Sequence, residues 1–285
     1  MPCFQRRAPW RVAALPAVLL ACHVWTAGGL HAQERAADEL PAVTIRAPRE
    51  AEPQVEKSYR RMVRGLDLFE RERHLAPAGE LRFRLLPRRR DTDLRGLALH
   101  VLGARTEIPL AIAPDQTFAL PRDQQAWREN ALVTPDRRAR TLTWRAEVRT
   151  PGLPPGTRRL GDLRLECRVG MEAGLVSESP SWIAQVVSQL ANASSYCERA
   201  DNRYLFFAPR ALFGVTLVDG ARRETLPVAR LYAAAIGEPR LADVLPACDC
   251  EVLLDRAYFL PLADGRWSDD TRVEFEFMED AGAPP

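Results

Sequence analysis

The sequence predicts a mainly β protein with minor α, in which antiparallel β-sandwich-like modules accompany an N-terminal amphipathic helix and a short linking helix. Short segments of alternating apolar and charged residues recur from Glu80 to Phe277, the period-two pattern of half-buried strands. Turn formers such as Pro135-Asp136, Pro151-Gly152 and Pro154-Pro155-Gly156 divide them. Helical spacing is confined to a stretch after Pro53 and another after Ser179.

The chain begins with an export pattern. Arg6, Arg7 and Arg11 precede Val12–Trp25, an almost wholly apolar run, and Leu30-His31-Ala32-Gln33 places a small residue before a polar one. A basic start, a short apolar core and a small-residue site make residues 1–32 a cleavable leader. The apolar run is shorter than the about 20 residues of a membrane helix. Cleavage after Ala32 releases a periplasmic or secreted chain. The alternative is Leu19-Leu20-Ala21-Cys22, which resembles a lipobox; lipidation at Cys22 would tether the protein to the outer membrane instead. The site at Ala32 is favoured because a cut at Cys22 leaves an apolar core of only Val12–Ala21. Arg6-Arg7 lacks the residues that follow a twin-arginine pair.

Charge excludes some partners. The chain carries 40 basic and 38 acidic residues. Removal of the leader arginines brings it close to neutral, which gives no net attraction for nucleic acid or an anionic membrane. Membrane contact is expected only through Cys22.

The mature elements follow in order. Residues 33–53 mix proline, alanine and charge without period and read as a flexible arm, with one short strand at Val43–Arg46. Val55, Tyr59, Met62, Leu66 and Phe69 then share one helical face, bounded by Pro53 and Pro77. Strands are predicted at Leu81–Leu86, Leu97–Leu102, Ile108–Ile112, Thr117–Leu120, Thr141–Arg149 and Leu163–Val169, completing a first module over 54–178. In Thr141–Arg149, Leu142, Trp144, Ala146 and Val148 face inward, and Thr143, Arg145, Glu147 and Arg149 face solvent. A helix at Ser179–Leu190, with Ser179 as N-cap and Pro180 in the first turn, lies in a linker over 179–202.

A second module over 203–285 contains strands at Tyr204–Phe207, Phe213–Val218, Thr225–Val228, Cys250–Leu254, Ala257–Leu260 and Arg272–Phe277, unless it is continuous with the first. In the last strand Val273, Phe275 and Phe277 alternate with Arg272, Glu274 and Glu276. An internal echo relates Gly103-Ala104-Arg105 to Gly220-Ala221-Arg222, each following a strand and suited to a hairpin tip.

Four cysteines survive cleavage: Cys167, Cys197, Cys248 and Cys250. In an exported chain they point to two disulfides. On a strand, Cys248 and Cys250 would project from one face about 7 Å apart. They are therefore expected to bond separately to Cys167 and Cys197, in either order. Zinc is disfavoured because two of the four ligands stand alone, and redox work because Asp249 and Glu251 surround the Cys-x-Cys pair with negative charge.

No constellation with catalytic or cofactor chemistry emerges. His23 and His31 leave with the leader, so only His74 and His100 remain, without a His-Glu-x-x-His spacing. There is no Gly-x-Ser-x-Gly turn and no phosphate-cradling glycine loop. Asp264, Asp269 and Asp270 surround an Asp-Gly turn without EF-hand spacing and read as a solvated loop. Glu274 and Glu276 share a strand face, as a glycosidase pair could, but alternating charge on a solvent face needs no such explanation and is the favoured reading. No catalytic, metal or cofactor residue is assigned. The expected function is non-enzymatic binding of a protein or glycan component of the cell envelope, or a structural role there. The alternatives are an extracytoplasmic hydrolase using Glu274, Glu276 or Asp269, and an assembly factor lipid-anchored at Cys22.

Overall fold

The computed structural model describes residues 56–88, 91–137, 141–175, 195–232 and 253–278. All lie in the second of the chain's two compact units, Pro48–Pro285. Within them the chain is mainly β, with antiparallel strand pairs and few helices. No described helix is long and apolar enough to cross a membrane. The predicted leader over residues 1–32, Cys22, Cys248, Cys250 and the predicted helix at Ser179–Leu190 lie outside the described residues.

Strand β1 (Lys57–Ser58) leads directly into α1 (Tyr59–Arg71). The Ser58 hydroxyl caps the helix by accepting from the Arg61 amide. Tyr59, Met62 and Phe69 bury as their spacing predicts, joined by Val63 and Leu68. The chain continues through β2 (Glu80–Pro87), β3 (Leu99–Leu102), β4 (Glu107–Leu110), β5 (Thr117–Phe118), α2 (Gln124–Arg128), β6 (Leu132–Pro135) and β7 (Leu142–Arg149). Sequence periodicity misses α2 and β6, which are short. One sheet has the order β1-β6-β3-β4 and another the order β5-β2-β7. Both feed one apolar cluster that includes Phe83, Val101, Phe118, Val133 and Trp144. Among the described strands β4 is an edge, where Pro109 is tolerated because no further strand needs its missing N–H.

The largest correction falls at Leu163–Val169. This segment is not a strand but the centre of α3 (Leu160–Ala173), which follows β8 (Thr157–Arg159). Leu165, Val169 and Ala173 pack into the first cluster, and Leu160, Leu163 and Cys167 into a second. Two apolar helical faces, offset along one helix, leave apolar residues at 163, 165, 167 and 169 and so imitate strand alternation. Gly174 ends the helix at φ 69°, and the Leu175 amide reaches back to the Gly170 carbonyl, a glycine-based C-cap. The second cluster thus begins at Leu160, inside the segment assigned above to the first module.

That cluster is completed from β9 (Phe206–Phe207) and β10 (Leu212–Asp219), past the exposed β11 (Arg222–Thr225), and from β12 (Ala257–Tyr258) and β13 (Arg272–Phe277). The order β11-β10-β13-β8 forms one sheet, and β12 pairs with β9. Val273 is fully buried, while Phe275 and Phe277 pack partly buried against the same cluster. Both echoed segments are hairpin tips, joining β3 to β4 and β10 to β11. A register shift between Leu212 and Gly214 leaves Phe213 65% exposed.

The disulfide pattern also differs from expectation. Cys167 and Cys197 are bonded to each other, so neither is available to Cys248 or Cys250. The helix explains this. It turns Cys167 into the second cluster, where a helical turn at Ser195–Glu198 delivers Cys197.

The helix also seals the outer edge of β7, whose outward amides have no strand neighbour among the described residues. Asp162 accepts from the Thr150 amide at 2.7 Å and from its hydroxyl at 2.8 Å. One turn on, Glu166 accepts from the Val148 amide at 2.9 Å and from Arg158 at 2.7 Å. Arg158 in turn donates to the Val148 carbonyl at 2.6 Å. Side chains at i and i+4 of α3 therefore do what a further strand would do, satisfying buried backbone groups.

Candidate functional site

The loop leaving β7 builds the site. Thr150-Pro151-Gly152-Leu153-Pro154-Pro155-Gly156 turns the chain back into β8. Gly152 and Gly156 take φ of 78° and 72°, which favours residues without a Cβ, and the prolines stiffen the segments between. The loop and the adjoining faces of β2 and β7 enclose a cavity of about 350 Å³. This is at the small end of the range for ligand pockets. Glu80, Arg82, Asp115, Glu147 and Arg149 line it beside Leu153 and the prolines, with Arg158 and Asp162 also in the wall.

Its floor is a ladder of charge. Across the β2–β7 register Glu80 stands opposite Arg149, Arg82 opposite Glu147 and Arg84 opposite Arg145. Glu147 leans away from its direct partner. Arg84 grips both of its oxygens, at 2.9 and 2.8 Å, and Arg149 Nε adds a bond at 2.9 Å. Burial alone would raise the Glu147 carboxyl. The hydrogen bonds and charge of Arg84, helped by Arg149 and Arg158, override it and hold the group at about 2. Glu147 is thus a fixed anion with no proton to give at neutral pH.

The arginines beside it are left with capacity. Arg82 donates to the Thr117 hydroxyl at 2.6 Å and to the Thr117 carbonyl at 3.3 Å, both neutral. Among the described residues no carboxylate lies within ion-pair distance of it. Arg149 commits its Nε to Glu147 and is 44% exposed. At the inner wall burial pushes the Glu166 carboxyl up against the pull of Arg158. Burial likewise raises the hydroxyls of Tyr204 and Tyr258 behind it. This inner layer is closed structure, whereas the Arg82–Arg149 floor faces open space.

A second cavity, of about 560 Å³, lies beside Cys197, Arg164, Arg168, Trp267 and Asp269. Its charges are spent on one another. Arg168 pairs with Glu72 and Glu198. Arg164 binds Asp269 at 2.6 Å and the carbonyls of Leu262, Asp264 and Trp267. Arg164 is thus the clamp that holds the 262–269 loop against α3. The loop's Asp264 is drawn down to about 2 by hydrogen bonds from Arg266.

The carboxylates that suggested hydrolysis are not brought together around a cavity. Glu274 pairs with Arg223 at 2.9 Å and Arg272 at 3.5 Å on the sheet surface, and Glu276 is exposed beside it. Asp269 lies in the second cavity, bound to Arg164. His100 stands 3.4 Å from Glu107 on the β3–β4 hairpin, and His74 lies in the turn after α1. Among the described residues no group of three His, Cys, Asp or Glu could hold a metal ion.

Sequence reading passed over Glu80, Arg82, Glu147 and Arg149. It assigned the odd-numbered face of β7 to solvent, but Thr143, Arg145 and Glu147 are buried. The available signal was the Pro-Gly-x-Pro-Pro-Gly segment, stiffer than a simple turn requires and placed directly after a charged strand. No family model, curated protein or solved structure matches this chain.

Proposed function

We propose that the chain is an exported envelope protein with a β-sandwich-like body that binds a protein or glycan component in the cavity over β2 and β7. The observation that carries this reading is the unequal use of charge there. Glu147 is locked into a static pair, while Arg82 and Arg149 keep guanidinium donors uncommitted. Preformed, unspent donors on rigid strands suit recognition. A carboxyl held ionised at about 2 does not suit general acid catalysis at neutral pH. The Cys167–Cys197 bond fits folding in an oxidising compartment. Export through residues 1–32 belongs to the same proposal, with release after Ala32 and a tether at Cys22 as its two forms.

The test is a binding screen of envelope glycans and proteins against protein purified after export, with Leu153→Trp to fill the cavity. Ligand capture by the native chain and its loss in Leu153→Trp would support the reading. A hydrolytic activity abolished by Glu274→Gln or Glu276→Gln would replace it with the enzymatic alternative. Labelling by a fatty-acid probe that disappears in Cys22→Ala would place the protein on a membrane.

A further inference from the structure

The geometry points to a carboxylate-bearing sugar as the ligand of the cavity over β2 and β7, its carboxylate held by Arg82 and Arg149 and a hydroxyl by Glu80. This rests on the cavity being a binding site and adds the chemical class of what it takes.

Arg82 sits directly opposite Glu147, yet Arg84 and Arg149 draw that carboxylate aside. The Arg82 charge is therefore met only by the neutral oxygens of Thr117. Arg149, two register pairs further along on the same face, uses its Nε, and its side chain has no other hydrogen-bond partner among the described residues. Both guanidinium groups line the cavity with spare N–H donors, and each presents the planar fork that suits the oxygens of a carboxylate. In a site narrowed by the 150–156 loop such contacts are screened less than on an open surface.

Glu80 shapes the rest of the ligand. It lies two residues before Arg82 on the same face of β2, opposite Arg149, and lines the cavity. Among the described residues its carboxylate has no hydrogen-bond or ion-pair partner. This unpaired carboxylate, with Asp115 also in the wall, repels a compact polyanion such as phosphate and prefers a ligand that brings donors of its own. Hydroxyl groups provide these. The Leu153, Pro154 and Pro155 side of the cavity offers apolar surface for a ring's C–H face. A carboxylate, neighbouring hydroxyls and a compact ring together describe a uronate-type sugar.

The probes are a glucuronate trisaccharide, a neutral glucose trisaccharide, inorganic phosphate and free glycine. Each is titrated at low salt by calorimetry and by NMR into the protein purified after export. The expected result is saturable binding of the glucuronate trisaccharide that weakens tenfold or more in Arg82→Gln and in Arg149→Gln and disappears in Leu153→Trp. Glu80→Gln should weaken it only several-fold and lower the barrier to phosphate. Arg82→Gln should melt with the native protein, which separates lost recognition from lost folding. Tighter binding of glycine than of glucuronate would overturn the sugar in favour of a zwitterion. Equal binding of the neutral trisaccharide, abolished by Leu153→Trp, would overturn the acidic class while leaving the cavity as a binding site. Glucuronate binding indifferent to Leu153→Trp would sink both readings, and no binding of glucuronate at millimolar concentration would sink the inference alone.

Discussion

Glu166 on α3 accepts a hydrogen bond from the backbone amide of Val148, on the free edge of β7, at 2.9 Å. The same carboxylate oxygen receives Arg158, which also donates to the Val148 carbonyl. A buried ion pair thus replaces a strand neighbour. Its worth lies less in attraction between the charges than in the cost of leaving either one alone.

Glu166→Ala should therefore destabilise the protein by about 3–5 kcal/mol, because Arg158 stays buried without its carboxylate. Glu166→Leu combined with Arg158→Met should recover much of that loss. Denaturant unfolding measures both. A double variant as damaged as the single would show that the exposed backbone of Val148, not the orphaned charge, sets the penalty.

Acid sensitivity should be carried by Glu147. Its carboxyl lies at about 2, below the ordinary value of 4.5. A carboxyl depressed by folding adds stability above its unfolded value and loses it as pH falls through the folded one. The native state should thus weaken between about pH 4.5 and 2, by on the order of 3 kcal/mol. Glu166 has the opposite sign. Burial raises its carboxyl, so its ionised form costs the native state at neutral pH and acid relieves that cost. Unfolding free energies measured from pH 7 to 2.5 should flatten in Glu147→Gln and steepen in Glu166→Gln. A Glu147→Gln profile parallel to the native one would remove Glu147 from this role.

The Cys167–Cys197 bond closes a sequence separation of 30 residues. On the chain-entropy account this is worth about 3–4 kcal/mol. Reductant should lower the unfolding midpoint of the native protein and leave the Cys167→Ser, Cys197→Ser double variant unchanged, and that variant should match the reduced native protein. Peptide mapping without reduction should recover the two cysteines linked to each other. A native protein indifferent to reductant would show that cluster packing alone holds Ser195–Glu198 on α3.

Arg164 binds three backbone carbonyls and Asp269 in the 262–269 loop. Arg164→Met should speed hydrogen exchange and protease cleavage within that loop while α1 and β7 keep their protection. Arg164→Lys should restore little, because one ammonium cannot span the fork that the guanidinium fills. Uniform loss of protection across the chain would mean instead that Arg164 supports the whole fold.

Much of the architecture was legible where one face of an element meets water. α1, β2, β7, β10 and β13 all overlap predicted elements, and the described inward residues predicted for α1, β7 and β13 are buried or pack against the buried clusters. The reading failed at α3 because this helix is apolar toward two clusters. It failed at the site because the charged face of β7 is covered rather than solvated. Glu147 and Arg149 look the same in sequence whether they face solvent or a cavity.

The sequence by itself determined the mainly β character, the hairpin tips at Gly103 and Gly220 and the inward residues of the clean strands, since these follow from local period and turn chemistry. Only the tertiary structure decided that 160–173 is a helix, that Cys167 bonds Cys197, and that Arg82 and Arg149 share a cavity with Glu80. Local pattern records which residues leave water, but not which distant surface covers them. Pairing, capping and pocket formation are contacts between segments far apart in the chain, and packing alone selects among them.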